Sequence, residues 1–252
     1  MNDELKKILH TLQPISLQEM ESVSLMNRVD SKYVFNIGQL PDLLNDIASY
    51  YKILEINNIR NHLYDSLYFD TPDYQMYYRH LYNRLNRYKI RFRKYVNSNG
   101  LTFLEIKFKD NKEKTHKKRK QYKDITTHLP DELSDFLIKQ TPYSVGKILP
   151  TLKIQYYRMT LVSHHFNERV TIDTQLQFDN FEKQFQLNNI VIAEVKRNSY
   201  AEHTEFMKLI KKHRIREGGL SKYCTGMAFT NEYLKKNNFL PKLSFFQKIN
   251  SL

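Results

Sequence analysis

Lys89, Arg91 and Arg93 recur at every second position, as do Glu105, Lys107 and Lys109, and again Thr115, Lys117 and Arg119. The same spacing joins Arg28, Asp30 and Lys32, then Tyr156 and Arg158, then Arg169, Thr171 and Asp173, then Glu194 and Lys196. Lys222 stands on a later segment. Side chains alternate faces along an extended strand, so each set shares one face of its strand. Any one of these faces reads as the solvated side of an amphipathic strand. The sets together read differently, because a solvated face mixes charges of both signs, whereas cations dominate here. Arginine carries fixed planar donors that match phosphate oxygens in pairs. Such a constellation suits the gripping of a polyphosphate or nucleoside triphosphate. It also suits phosphoryl transfer, which needs alignment and charge neutralisation more than a protein nucleophile.

The elements that must position these residues follow from periodicity. Leu104-Glu105-Ile106-Lys107-Phe108-Lys109 alternates apolar and charged residues, the pattern of a strand with two unlike faces. Similar segments are expected at 32–35, 67–69, 89–95, 116–122, 153–160, 168–172 and 190–196, with a hairpin turn at Asn97-Ser98-Asn99-Gly100. Leu5, Ile8, Leu9 and Leu12 mark an amphipathic N-terminal helix. Pro41 and Pro130 suit helix starts, Ser199 with Glu202 forms a capping-box pattern ahead of Phe206, Met207 and Ile210, and a last helix is expected over about 225–236. The class is therefore α+β with a mainly antiparallel sheet. An outward basic face would repel itself, so closure into a β-barrel or tunnel with a basic interior is expected, its apolar exterior covered by peripheral helices. The expected organisation is a single domain over 1–252: a helical segment 1–25, a tunnel core of about 27–229 and a helical tail 230–252.

Composition narrows the partners. Forty Lys and Arg against 27 Asp and Glu give a formal net charge of +13, which favours anionic ligands. Eighteen tyrosines beside those cations would also suit stacking on single-stranded RNA, but the inward alternation of the cations favours phosphate compounds, and nucleic acid is set aside. No apolar run reaches the roughly 20 residues that span a bilayer, and the start is unlike a signal peptide. The single cysteine, Cys224, fits a reducing compartment, so a cytoplasmic location is expected.

Arg28-Val-Asp30-Ser-Lys32-Tyr, Tyr68-Phe-Asp70-Thr-Pro72, Lys89-Ile-Arg91-Phe-Arg93, Leu104-Glu-Ile-Lys107, Ala193-Glu-Val-Lys196 and Ser221-Lys-Tyr together resemble the VTC domain over roughly 27–229. This is the catalytic domain of the vacuolar transporter chaperone polyphosphate polymerases, within the CYTH-like triphosphate tunnel superfamily. The resemblance implies a tunnel lined by Lys32, Arg91, Arg93, Lys107, Lys117, Arg158, Arg169 and Lys222, with Ser221 and Tyr156 adding hydrogen bonds. It implies Glu194 as the metal holder, Mn²⁺ or Mg²⁺ as the cofactor, and ATP and inorganic polyphosphate as substrates. Arg28, Lys109, Arg119 and Lys196 share faces with these residues and join them as substrate-binding candidates. The wider superfamily often opens with Glu-x-Glu-x-Lys, where this chain has a cation at Arg28. That favours the polymerase branch over a tunnel triphosphatase acting on tripolyphosphate or an RNA 5′-triphosphate. A non-catalytic polyphosphate-binding module is the third reading. Regulation and export would come from partners, a membrane protein among them.

Other signals carry less. Adjacent His164 and His165 point to opposite sides, as structural residues do. Zinc, phosphate-loop and dinucleotide motifs do not occur. Strand alternation splits Lys117-Lys118-Arg119-Lys120, sending Lys117 and Arg119 inward. Glu105 and Asp173 are read as orienting nearby Arg and Lys side chains, and the tyrosines as packing. Replacing Arg91 or Arg158 with Ala is expected to weaken phosphate binding while sparing or raising stability, because like-charge repulsion is removed.

Overall fold

Residues 3–21, 28–198 and 204–251 are described in the computed structural model. The chain opens with α1 (Asp3–Thr11), β1 (Gln13–Ile15) and α2 (Leu17–Glu21), followed by β2 (Arg28–Asn36), α3 (Leu40–Ile47) and β3 (Tyr51–Leu54). Next come β4 (His62–Asp70), α4 (Gln75–Leu81), β5 (Arg87–Tyr95), β6 (Leu101–Lys109) and β7 (Thr115–Tyr122). After α5 (Ser134–Gln140) run the long strands β8 (Leu149–Ser163) and β9 (Glu168–Asp179), then β10 (Gln184–Leu187) and β11 (Ile190–Asn198). Helices α6 (Glu205–Lys212), α7 (Lys222–Thr230) and α8 (Leu240–Asn250) complete it.

Local chemistry accounts for several element ends. Pro41 and Pro241 occupy the first turns of α3 and α8, where a missing N–H costs nothing. Asn99 and Gly100 both take positive φ in the β5–β6 hairpin, the conformation such tight turns require. Thr204 caps α6 by accepting from Met207 N at 3.3 Å. The capping box expected at Ser199 and Glu202 lies outside the described residues. The helix expected over 225–236 instead occupies Lys222–Thr230, because the Ser221 hydroxyl caps it by accepting from Cys224 N. Periodicity gives no sign of α4.

Eight strands pair in the order β2-β11-β9-β8-β4-β5-β6-β7, and those neighbours are antiparallel. β10 adds to β9 and β3 to β8, while β1 pairs with β3 in parallel. A closed barrel does not form: among the described residues no ladder joins β2 to β7. The outer edge of β2 is taken up elsewhere, Gly218 N donating to Lys32 O at 2.8 Å and Tyr33 bridging Glu217. The sheet still curls, so that charges on β2 and β11 act on those of β5 and β6 across its concave face.

Alternation sorts the strands into two unlike surfaces. On the convex side Tyr33, Phe35, Leu161, Val170, Ile172, Val191 and Val195 pack under α1, α3 and α6. Leu67, Phe69, Ile90, Phe92, Leu104 and Ile106 pack under the segment containing α5. Each fully buried side chain of this kind contributes about 1.5–3 kcal/mol. A one-residue slip of any strand would drive its cations into these layers, which fixes the register. On the concave side, α7 lies against β8 and β9, burying Tyr223, Cys224 and Met227 among Leu152, Ile154, Leu176 and Phe178. A Cβ on Gly226 would stand 2.4 Å from Phe178 Cδ1 and 2.6 Å from Leu152 Cδ2, so only glycine allows this approach. No helix among the described residues is long and apolar enough to cross a membrane.

Candidate functional site

The concave face gathers its cations around two buried carboxylates. β5, β6 and β7 place Arg91 opposite Glu105 and Glu105 opposite Arg119, and place Lys89, Lys107 and Lys117 in the neighbouring row. Glu105 Oε2 accepts from Arg91 Nε at 2.9 Å and Nη2 at 2.7 Å, and Arg93 Nε lies 3.8 Å away. Lys117 pairs with the other oxygen. Burial alone would raise the Glu105 pKa, but Arg91, Arg93 and Lys117 outweigh it and hold the carboxyl below its usual range. Asp173 plays the matching part on β9. Arg158 grips it in a fork, Nε to Oδ1 at 2.6 Å and Nη2 to Oδ2 at 2.7 Å, and Lys222 at the start of α7 also donates to Oδ2. Burial opposes this charge too, and the two cations again prevail, lowering the pKa.

Glu194 differs from both. It sits on β11 beside Lys32, with 22 % of its side chain exposed, and Oε1 accepts from Lys196 Nζ at 2.9 Å. Burial pushes its pKa up, but Lys196, Lys32 and Arg158 outweigh burial and hold the carboxyl below its usual range. Lys196 is shared with Asp30 at 3.2 Å. Among the described residues neither Lys32 nor Lys107 pairs with a carboxylate. Lys107 is depressed well below the usual lysine range, first by burial and then by Arg91 and Arg93, with Glu194 opposing. Lys89 is depressed mainly by burial, and its Nζ donates to Ser221 Oγ at 3.0 Å.

Tyrosines form the floor beneath these cations, a role beyond the packing expected of them. Arg91 lies over the Tyr68 ring and donates to its hydroxyl at 2.6 Å. Arg93 and Arg158 lie over Tyr64 at 5.4 and 5.1 Å. Tyr156 carries Arg158 and Lys222 over its ring, and its hydroxyl accepts from Arg93 Nη2 at 3.1 Å. Burial raises Tyr64 to about 12. Tyr68, despite burial, falls below its usual value because Arg91, Arg93 and Lys89 surround it. Lys89 shares the strand face of Arg91 and Arg93, a signal that could have placed it among the site residues. His80 on α4 gives no such sign. Its ring is held neutral with a pKa lowered to about 2, chiefly by burial and then by Lys89, Arg87, Lys32 and Lys242.

Lys32, Arg91, Arg93, Lys107, Lys117, Arg158, Lys196, Lys222, Tyr156, Ser221 and Glu194 thus share the concave face. Arg119 is exposed there and stacks on Phe103 at 4.8 Å. Arg169 lies at the Lys196 end, where it donates to the Met20 carbonyl at 2.9 Å. Lys109 is drawn to the hairpin end by Glu113 at 3.4 Å, away from the main cluster. Arg28 begins β2, but its side chain lies outside the described residues. The expectation that Arg91 and Arg158 can be removed without loss of stability gives way here, because each neutralises a buried carboxylate.

A divalent metal meets a sparse donor set. Among the described residues no three His, Cys, Asp or Glu side chains converge to hold one. Glu105 and Asp173 are occupied by cations, whereas no side chain donates to Glu194 Oε2 among the described residues. A hard cation that takes most of its ligands from phosphate oxygens fits this single carboxylate.

Solved structures that resemble the fold include the following two. One is the PH1819 protein of Pyrococcus horikoshii OT3, 12 % identical with a TM-score of 0.41, covering 74 % of this chain and 89 % of its own. The other is the Hippeastrum protein HpAC1, described as an adenylyl cyclase candidate with a dominant triphosphatase activity. It is 14 % identical with a TM-score of 0.48, covering 83 % of this chain and 99 % of its own. No curated protein matches. The family profile described as the VTC domain matches residues 27–231, which contain the whole cationic face, and the chain belongs to the VTC domain family.

Proposed function

We infer that this protein lengthens inorganic polyphosphate by transferring the γ-phosphate of ATP to the end of a chain held on its concave cationic face. In that reaction a terminal chain oxygen forms a bond to the γ-phosphorus. The bond from that phosphorus to the β–γ bridging oxygen breaks, and the electron pair leaves with ADP. The observation that carries the reading is the uneven use of charge. Glu105 and Asp173 are consumed in orienting Arg91, Arg93, Arg158, Lys117 and Lys222, while among the described residues Lys32 and Lys107 have no carboxylate partner. Two partly buried lysines on one face without a direct carboxylate partner leave cationic capacity that phosphate oxygens can take up.

Each group then has a part. Arg91, Arg93 and Arg158 are pre-set by their carboxylates to present planar donors to phosphate oxygens. Lys32, Lys107 and Lys222 neutralise charge along the line of transfer. Glu194 would hold the metal, Mn²⁺ or Mg²⁺, which would supply charge neutralisation at the phosphate. Tyr156 and Tyr68 fix the guanidinium planes from below, so little reorganisation accompanies binding.

The test is to incubate the purified protein with ATP and Mn²⁺ and resolve the products on a gel stained for polyphosphate, beside Glu194→Gln. Chains that lengthen with time and vanish in the variant are the expected result. Release of free phosphate without chains would replace the polymerase with a triphosphatase. Tripolyphosphate binding without turnover, unaffected in Glu194→Gln, would leave a binding module.

A further inference from the structure

We propose that Asp70 and Tyr223, which lie away from the phosphate-binding cations, are a positioning pair that sets α7 and thereby aims Lys222 at the anion. The inference rests on the reading of the concave face as a polyphosphate site and extends it to residues that touch no substrate.

Asp70 is fully buried at the end of β4. Its Oδ1 accepts from Thr71 N at 2.8 Å and Met76 N at 2.9 Å, and its Oδ2 accepts from Tyr77 N at 2.9 Å. These three backbone donors anchor the carboxylate to the chain around α4. The Thr71 hydroxyl adds a longer bond to Oδ1 at 3.4 Å, and the Tyr223 hydroxyl, 2.6 Å from Oδ2, crosses from α7 to reach the same carboxylate. A carboxylate this buried is costly unless its acceptors are filled, so the hydroxyl is held tightly and the second residue of α7 has a fixed address. The two residues just before Tyr223 do the work at the site. Ser221 Oγ accepts from Lys89 at 3.0 Å, and Lys222 Nζ donates to Asp173 while lying 4.8 Å from the centre of the Tyr156 ring. The ring of Tyr223 also stacks on Tyr68, 5.1 Å apart and within 15° of parallel, and the Tyr68 hydroxyl takes the donor bond from Arg91. One buried hydrogen bond thus connects a rigid strand end to three of the cations.

A packing role alone would also bury Tyr223. The two roles separate in a double-mutant cycle, because a residue that acts through Lys222 loses its effect on binding once Lys222 is gone. Tripolyphosphate affinity is measured by calorimetry for the wild type, Tyr223→Phe, Lys222→Ala and the double variant, with melting temperatures alongside. Tyr223→Phe is expected to weaken binding roughly five- to tenfold, the worth of one lost buried hydrogen bond. That loss is expected to shrink to less than about twofold in the Lys222→Ala background. An unchanged affinity in Tyr223→Phe, or an equal loss in both backgrounds, overturns the proposal. Should Tyr223→Phe fail to fold, Thr151→Val serves instead, since Thr151 Oγ1 approaches the same hydroxyl at 3.4 Å. A smaller loss that also disappears without Lys222 is then expected, and an affinity equal to wild type overturns the proposal. If the wild type itself ignores tripolyphosphate, the functional reading falls and this one with it. If the wild type binds and the variants bind equally well, only the positioning pair falls.

Discussion

Arg91 donates through both Nε and Nη2 to a single oxygen of Glu105, at 2.9 and 2.7 Å, and turns its third nitrogen to the Tyr68 hydroxyl at 2.6 Å. The guanidinium is therefore fixed in plane and rotation before any ligand arrives, which lowers the ordering cost of binding a phosphate. The same device recurs at Arg158 and Asp173. Cations held in this way belong to the stability of the fold as well as to its site.

This dual role separates the arginines from the lysines. Arg158→Ala strips the forked partner from a buried carboxylate and should cost about 3 kcal/mol, the lower end for breaking a buried pair, because Lys222 remains on Asp173. Lys107→Ala removes a depressed, unpaired charge and should spare stability or raise it by about 1 kcal/mol. Both should weaken tripolyphosphate binding by about tenfold or more, the worth of a hydrogen bond to a charged group. Urea unfolding beside calorimetric titration checks all four numbers, and a destabilised Lys107→Ala would contradict the charge assignment.

Glu105→Gln should lower stability while leaving the anion's own stabilising effect enlarged. The variant exposes Arg91, Arg93 and Lys117 to one another without the carboxylate between them, a loss of about 3–5 kcal/mol. Saturating tripolyphosphate, at a hundredfold excess over its dissociation constant, stabilises the wild type by about 2.7 kcal/mol. Thermal melts of both proteins at one common tripolyphosphate concentration make the comparison. Tighter binding of the anion by Glu105→Gln, the freed charge of Arg91, Arg93 and Lys117 outweighing the loss of Arg91's pre-set orientation, with a lower melting temperature in its absence, is the expected pair of results.

Acid should destabilise the fold in two stages of known sign. His80 has a folded-state pKa of about 2 against an ordinary 6.5, so the unfolded chain binds the proton first. Its contribution is intact above about 6.5 and is lost as pH falls through that value towards 2, by at most about 1.4 kcal/mol per pH unit. Glu105 and Glu194, lowered from 4.5, and Asp173, lowered from 3.8, contribute stability that is present above those values and lost below them. Asp70 and Glu168 are raised by burial and act in the opposite direction, softening the second stage. Urea midpoints between pH 7.5 and pH 5 should fall in the wild type and fall less in His80→Gln.

Gly226→Ala should displace α7. The new methyl would meet Phe178 and Leu152 well inside contact distance, and overpacking of this kind costs about 1–3 kcal/mol. Because α7 begins with Lys222, tripolyphosphate binding should weaken along with the melting temperature. A variant that loses stability but keeps full affinity would show that the helix yields at its other end.

Legibility in the sequence follows the range of the interactions. Two-residue alternation and the apolar alternates under helices are local features, so eight strands and the inward direction of Lys32, Arg91, Arg93, Lys107, Lys117, Arg158 and Glu194 are legible in the order of residues alone. The short strands β1 and β3 are not, since each pairs with a segment far along the chain, and β10 and α4 are too short to carry a clear period.

The sequence by itself determined the family, the basic sign of the concave face and the identity of most of its cations, because strand parity needs only the backbone's period. Tertiary structure alone decided which cations are spoken for. The orienting role of Glu105 and Asp173 is legible in the sequence, but their choice of Arg91 and Arg158 follows from the registers of β5 with β6 and of β8 with β9. It also decided that β2 gives its edge to the segment before α7, which leaves the sheet curled but open. Pairings across strands are set by register and curvature, and those emerge only when the outer layers of apolar side chains pack.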